Sequence, residues 1–343
     1  MCFGIIYLYV GGIEMAYKPP YTITSKMLNY ISQIMRLVGQ LSNVGDLDHK
    51  PRLRRANKIN SIYSSLAIEN NALTKKQVTD IINGKLVIGP QRDIIEVKNA
   101  IKVYDEITNI NPYDYNELLK YHRIMMESLI DDAGKFRLGQ EGVFDGDKVI
   151  FMAPPADRVP ALIYDLYDYI NHYDENILIK SCVFHYEFEF IHPFSDGNGR
   201  MGRLFQTCLL ASKEKIFIHL PVESIIKERQ QAYYKAISDC NLAGNSNAFI
   251  EFMLDSISET LTRITKSAQH EKNLMSIQVK KLLHIMETEM PYTTTELMEL
   301  LDLRSRVSFK KNYLNPSIEA GLIKMTIPDI PNSRNQRYIK IDN

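Results

Sequence analysis

Residues 191–203, Ile-His-Pro-Phe-Ser-Asp-Gly-Asn-Gly-Arg-Met-Gly-Arg, sit between two apolar helical patterns and leave few choices for the fold around them. Gly197 and Gly199 let the backbone turn tightly and keep amide N–H groups uncovered. Met201, Leu204, Cys208 and Ala211 recur on one face, so a helix begins inside the run. A glycine-rich turn opening a helix makes an anion site, because unpaired amides and the positive end of the dipole point outward. Arg200 and Arg203 lie three apart on the first turn and reach the same anion with forked donors. Asp196 would repel a bare phosphate, which points to a bridging divalent cation, Mg²⁺ fitting best. His192 is the one side chain of the run that takes a proton near neutral pH. A packed histidine in an ordinary helix-start loop accounts for any one of these residues, but not for the ordered set.

The 343 residues predict two or three domains with real cores. Forty-one Lys and Arg balance forty-one Asp and Glu, so no global field argues for nucleic acid or an anionic membrane. Cys2, Cys182, Cys208 and Cys240 show no metal-like spacing and fit the reduced thiols of a cytoplasmic protein. Residues 1–14 are apolar but lack a basic leader and are too short to span a bilayer. They read as a start placed upstream of the true one at Met15.

Pro19-Pro20 marks an extended lead-in. Thr24 or Ser25 caps a helix carrying Met27, Ile31, Ile34 and Leu37. A polar loop near 46–51 precedes a second helix, from about Leu53 towards Glu69. That helix ends in Ser65-Leu66-Ala67-Ile68-Glu69-Asn70, with Asn70 suited to a left-handed cap. Glu69 opposes the negative end of the helix dipole, which a cation elsewhere would explain. Residues 74–92 read as polar and broken. Helices follow from Asp93 (Val97, Ile101, Tyr104, Ile107), from an Asp114 cap (Leu118, Tyr121, Met125, Leu129), and at about 158–173, 176–190 and 199–213. Between them, Val143-Phe144, Asp145-Gly146 and Lys148-Val149-Ile150-Phe151 predict a β-hairpin with an Asp-Gly turn. His185 and Glu189 are four apart but lack a second metal ligand and read as a packed pair. One helix is expected from Ser224 through Ile226, Gln230, Tyr233 and Ile237, and another through Phe249, Met253, Ile257 and Leu261. Ser267–Asn273 reads as a polar joint. Beyond it, Val279, Leu282 and Met286 mark a helix, Thr294 or Thr295 caps a second, and 305–314 form a third. Residues 319–323 lead into a strand, and with a loop at 328–334 and Tyr338–Ile341 returning they complete a hairpin. Three short helices and a hairpin make a winged helix-turn-helix. Residues 304–343 hold eight Lys or Arg against three Asp or Glu, so Arg304, Arg306, Lys310 and Lys311 leave both DNA and protein docking open.

The 191–203 run resembles the signature of the Fic family, His-Pro-Phe-x-[Asp/Glu]-Gly-Asn-Gly-Arg-x-x-Arg, at every fixed position. The resemblance implies transfer of AMP from ATP to a Tyr, Thr or Ser hydroxyl of a protein. It makes His192 the catalytic base and Asp196 the Mg²⁺ ligand. Gly197, Asn198 and Gly199 would form the anion hole, with Arg200 and Arg203 on the outer phosphates. Ser65, Glu69 and Asn70 fill the family's inhibitory motif, [Ser/Thr]-x-x-x-Glu-[Gly/Asn]. In the family that Glu pairs with the second signature arginine, here Arg203, and blocks the γ-phosphate position. The hairpin resembles the family's flap, which pairs with the target by strand addition and brings Val149 and Ile150 beside the nucleotide. Tyr233, Tyr234 and Asn241 match the spacing of the base-binding residues. Residues 313–327 resemble winged-helix tails on many Fic proteins.

The expectation is therefore a mainly α protein: a Fic-type helical core with a β-hairpin flap and a C-terminal winged helix-turn-helix domain. Its parts would be 1–14, an N-terminal helical region with the inhibitory helix (15–92), the catalytic core (93–266) and the tail (274–343). The leading function is a self-inhibited protein adenylyltransferase using ATP and Mg²⁺ on a protein target, without membrane contact. Removal of AMP, a different nucleotide-like donor, and a DNA-binding regulator acting through the tail are the alternatives. Oligomeric state, a homodimer included, stays open.

Overall fold

The computed structural model describes residues 9–10, 13–14, 17–43, 51–145, 148–274, 277–331 and 333–341. The expectation placed on residues 1–14 thus falls almost wholly outside the described residues, apart from the two-residue strands β1 (Tyr9–Val10) and β2 (Ile13–Glu14). The chain divides into two compact units, Met1–Thr262 and Arg263–Asn343.

In the first unit the expected helices form as α1 (Ser25–Asn43), α2 (Pro51–Ile68), α4 (Gln91–Asp105), α5 (Tyr115–Met125), α6 (Val159–His172), α7 (Ile177–Ile191) and α8 (Asn198–Ala211). Asp114 caps α5 by accepting from the Asn116 amide at 2.8 Å. Residues 74–92 differ from the expected polar stretch. They contain α3 (Lys75–Ile82), started by a capping box in which Thr74 and Gln77 exchange hydrogen bonds. The single helix expected from Ser224 is two, α9 (Val222–Glu228) and α10 (Gln230–Ala243), broken at Arg229. The Arg229 guanidinium turns to Asp255 and Glu259 on α11 (Asn247–Leu274). The polar joint expected at 267–273 is helical and belongs to α11.

α7 is buried on nearly every side, Leu178 to Phe188 without interruption. It packs mainly against α8, through Phe184, Phe188 and Phe205. Burying each such side chain contributes about 1.5–3 kcal/mol, so the loop joining these two helices is carried by the best-packed part of the unit. α2 lies against α9 and α4. The hairpin is β3 (Gly142–Asp145) and β4 (Lys148–Met152). Its register pairs Asp145 with Lys148, so Asp145 belongs to the strand and not to the turn, whose residues 146–147 lie outside the described ones. A bulge falls between Val143 and Phe144, with Val143 opposite Phe151 and Phe144 opposite Val149.

The second unit contains α12 (Ile277–Ile285), β5 (Pro291–Tyr292), α13 (Thr294–Leu300), α14 (Arg306–Phe309), a π-helical turn at Lys310–Leu314, α15 (Asn315–Glu319), β6 (Ile323–Met325) and β7 (Tyr338–Lys340). Thr293, and not Thr294 or Thr295, caps α13, in a capping box with Glu296. The strands form one antiparallel sheet in the order β5-β7-β6. Leu282, Leu297, Phe309, Leu314 and Ile323 make its core. Among the described residues no helix is long and apolar enough to cross a membrane.

Candidate active site

Two backbone features shape the loop between α7 and α8. His192 ends α7 in the left-handed region (φ 50°), and Gly197 starts α8 there (φ 87°). A side chain on Gly197 would strike Met126 at 2.8 Å, so glycine is required for space as well as for conformation. Asn198 closes the loop on itself: its Oδ1 accepts from the Phe194 amide (2.9 Å) and its Nδ2 donates to the Phe194 carbonyl (2.8 Å). Oδ1 and one Nδ2–H of Asn198 are thereby engaged with the backbone, leaving the second Nδ2–H. The side chain builds the loop, and the outward donors are the first-turn amides of α8, which have no intrahelical acceptor.

The His192 side chain is half-buried. Its Nδ1 faces the Glu189 carbonyl at 3.4 Å. A carbonyl only accepts, so Nδ1 carries the hydrogen and the Nε2 lone pair is left to take a proton.

Arg203 is the most tightly held cation of the site, with only 2% of its surface exposed. It donates to the Ser65 hydroxyl (3.2 Å), the Ser65 carbonyl (3.0 Å) and Glu69 Oε1 (2.8 Å). Burial opposes its charge, but neighbouring charges, Glu69 first, outweigh that and hold its pKa above the ordinary arginine value. α2 ends at Ile68, and Asn70 takes the left-handed cap (φ 66°). Glu69 is thereby turned onto the start of α8, where a Cβ on Gly199 would collide with its carboxylate. A carboxylate thus sits against Arg203 and beside Gly199 at the start of α8. Around it the buried Arg203 Nη1 and Arg200 Nε have no acceptor among the described residues.

Asp196 accepts at Oδ1 from its neighbouring Gly197 amide (2.6 Å) and Arg200 Nη2 (2.8 Å), and at Oδ2 from Arg92 Nη2 (2.7 Å). Arg92, on α4, was not singled out from the sequence, nor was Glu96 one turn on. Glu96 Oε1 lies 3.4 Å from Arg200, and its Oε2 accepts from Asn71 (2.8 Å). The end of α2 is therefore tied to both signature arginines, to Arg203 through Glu69 and to Arg200 through Asn71 and Glu96.

The tyrosine pair divides. Tyr233 is buried with its hydroxyl on His185 Nε2 (3.1 Å), whereas Tyr234 keeps 47% of its surface exposed. Asn241 accepts from the Tyr186 hydroxyl at 2.9 Å. Gln230 donates to the Ile68 carbonyl (2.8 Å), so α10 also grips the end of α2. His185 binds Gln206 Oε1 at 2.6 Å and lies 3.6 Å from Glu189, a packed network of the core.

Sequence profiles match in two places: the Fic/DOC family over residues 112–210 and the C-terminal domain of the Filamentation induced by cAMP protein Fic-like family over 277–339. A crystal structure of a Fic family protein from Desulfovibrio desulfuricans G20 superposes with a TM-score of 0.71 at 41% identity, covering 95% of this chain and 99% of that one. The chain belongs to the Fic family. It is also 29% identical over 237 residues to a protein adenylyltransferase Fic from Culex quinquefasciatus, and spans 44% of that relative's length. A Fic-1 fragment from Caenorhabditis elegans shares the fold, with a TM-score of 0.60 at 19% identity.

His122 on α5 is a further part of this Fic site. It stacks on Phe194 with ring centres 3.5 Å apart, and Nδ1 accepts from the Gly134 amide (2.8 Å). Nε2–H therefore donates to the Asp196 carbonyl (2.9 Å), pinning the loop from beneath. Burial pushes its pKa down to about 4. A histidine depressed in the native state binds fewer protons there than when unfolded. Its contribution is complete above the unfolded pKa near 6.5 and is lost as pH falls towards 4, at most about 3 kcal/mol. Glu187, pushed up to about 7 by burial against a hydrogen bond from Tyr17, slopes the other way. The measurement is thus a difference. Urea unfolding of wild type and His122→Asn at pH 7 and pH 5 should show the stability gap between them shrinking at the lower pH; a constant gap removes the assignment.

Proposed function

We propose that this Fic protein is a protein adenylyltransferase, moving AMP from ATP to a Tyr, Thr or Ser hydroxyl of a protein and held in check by Glu69. The observation that carries the reading is the Glu69 carboxylate seated on the start of α8 against Arg203, beside the buried Arg203 Nη1 and Arg200 Nε, which have no acceptor among the described residues. A triphosphate entering there exchanges one carboxylate for several oxygens and satisfies those donors. The α8 amides then hold the inner phosphates and Arg200 and Arg203 the outer ones, while His192 Nε2 takes the target proton as the hydroxyl attacks the α-phosphorus, the bond from that phosphorus to the α–β bridging oxygen breaks and pyrophosphate leaves. Such transfer is governed by positioning and charge neutralisation, which suits a site of fixed dipoles and arginines. Tyr234 and Asn241 border the place for the base. The β3–β4 edge would pair with the target backbone, which sets the hydroxyl in register without reading much sequence.

The residues fit a Mg²⁺ ion brought in by the nucleotide and not a resident metal. Asp196 is a lone carboxylate, and among the described residues no three His, Cys, Asp or Glu side chains converge; Mg²⁺ typically takes one or two carboxylates with phosphates and water. Asp196 would hold the ion, which neutralises charge on the phosphates. Arg92 now covers Oδ2, through a pair in which its side chain is 54% exposed, and such pairs contribute only about 0–1 kcal/mol. Arg92→Ala should lower the half-saturating divalent ion concentration roughly two- to five-fold, read by Mn²⁺ paramagnetic resonance in the presence of a non-hydrolysable ATP analogue. An unchanged titration separates Arg92 from the metal.

For the second unit we propose a winged helix-turn-helix that contacts duplex DNA or a protein through the exposed Arg304, Arg306 and Lys311. Salt-dependent binding of the full chain to duplex DNA decides between the two.

The test of the main reading is mass spectrometry of the Glu69→Gly protein incubated with ATP, Mg²⁺ and cell lysate. An AMP adduct on a hydroxyl residue supports it. Loss of AMP from a pre-modified target instead supports the reverse reaction, and no change in either direction removes both.

A further inference from the structure

Arg137, in the segment before β3, is 2% exposed and in no ion pair among the described residues. A buried guanidinium is costly without compensation, and its partners here are carbonyls alone. Nε donates to His192 O (2.7 Å), Nη1 to Gly139 O (2.8 Å), and Nη2 to Pro154 O (2.5 Å) and Ile191 O (3.3 Å). Its own amide donates to Pro193 O at 2.9 Å.

These acceptors come from three places. Gly139 precedes the first hairpin strand, and Pro154 follows the second. Ile191, His192 and Pro193 form the end of α7 with the candidate base. The two ends of the hairpin also meet directly, Ala153 N to Glu141 O at 3.0 Å. One rigid, planar group with five N–H donors thus joins both feet of the hairpin to the residue whose left-handed backbone presents the imidazole. That conformation is strained for a residue other than glycine, and the charge-assisted bond to the His192 carbonyl offsets it. A lysine could not replace the fork, since its ammonium is a single point of donation.

We propose that Arg137 is a positioning residue that fixes the hairpin and His192 relative to each other, so that a hydroxyl presented on the hairpin edge arrives within reach of Nε2. The proposal rests on the adenylyltransferase reading for its catalytic consequence, but not for the mechanical coupling.

The experiment compares Arg137→Lys and Arg137→Met, each combined with Glu69→Gly. Amide hydrogen exchange should show residues 139–142, Met152 and Ala153 losing protection together with His192 and Phe194 in both variants, while the middle of α8 is unchanged. Independent behaviour of the two segments, or no change in either, overturns the coupling whether or not the protein transfers AMP. For catalysis, Arg137→Lys should lower kcat roughly 10- to 100-fold, the range expected for slight misplacement of a reacting group, while KM for ATP stays within about two-fold. An unchanged kcat, or a kcat that falls only in step with ATP affinity and melting temperature, marks Arg137 as structural support alone. If Glu69→Gly by itself transfers no AMP, the functional reading fails, and the exchange data still decide the coupling.

Discussion

Replacing Glu69 with glycine should raise AMP transfer roughly 10- to 100-fold at limiting ATP. Oε1 makes one charge-assisted bond to Arg203 and lies on the start of α8. Such a bond has a net worth of about 1.5–3 kcal/mol, and each 1.4 kcal/mol is roughly tenfold in binding. Arg203 does not become loose when Glu69 leaves, because two further bonds to Ser65 hold it. The site then remains organised for an anion that no longer has to displace one. Labelled-ATP transfer and calorimetric nucleotide titration should improve together. A variant no faster than wild type would mean that Glu69 does not contend with the nucleotide.

The larger loss should come from His192→Asn, made in the Glu69→Gly background. Removing a positioned general base costs roughly 10²–10⁴ in rate, so transfer should fall to the limit of detection while ATP affinity is retained. Asparagine is preferable to alanine here because His192 is left-handed, where alanine adds roughly 1–2 kcal/mol of strain and asparagine is tolerated. Among the described residues the one hydrogen-bond contact of the imidazole is long, to Glu189 O, so the fold should survive. Transfer persisting within about tenfold of the parent would assign the proton to another group.

Legibility followed sequence distance. The loop, its helix and the hairpin are local patterns, and the structure contains them. Where periodicity misled, a tertiary contact was responsible. The helical spacing of Ile226, Gln230 and Tyr233 runs straight through Arg229, and the break there goes with a guanidinium that reaches across to α11. Polarity also misled: 267–273 and 74–82 are polar because parts of helices are polar, and the Thr74–Gln77 box was readable beforehand. The pairing of Ser65 and Glu69 with Arg203, more than a hundred positions away, was accessible only through resemblance. His122, Glu96, Arg92 and Arg137 carried no signal of their own. Each acts on the site through a partner brought close by folding, His122 and Arg137 through backbone carbonyls that no residue pattern encodes.

Gly199 has one further consequence. Its bare backbone gives room to the Glu69 carboxylate, and the same room is where a nucleotide phosphate would lie. Any side chain placed there evicts both occupants at once, giving a protein that is neither restrained nor competent. Separation-of-function alleles are therefore to be sought on the α2 side of the contact, where a change can evict the restraint and spare the cargo.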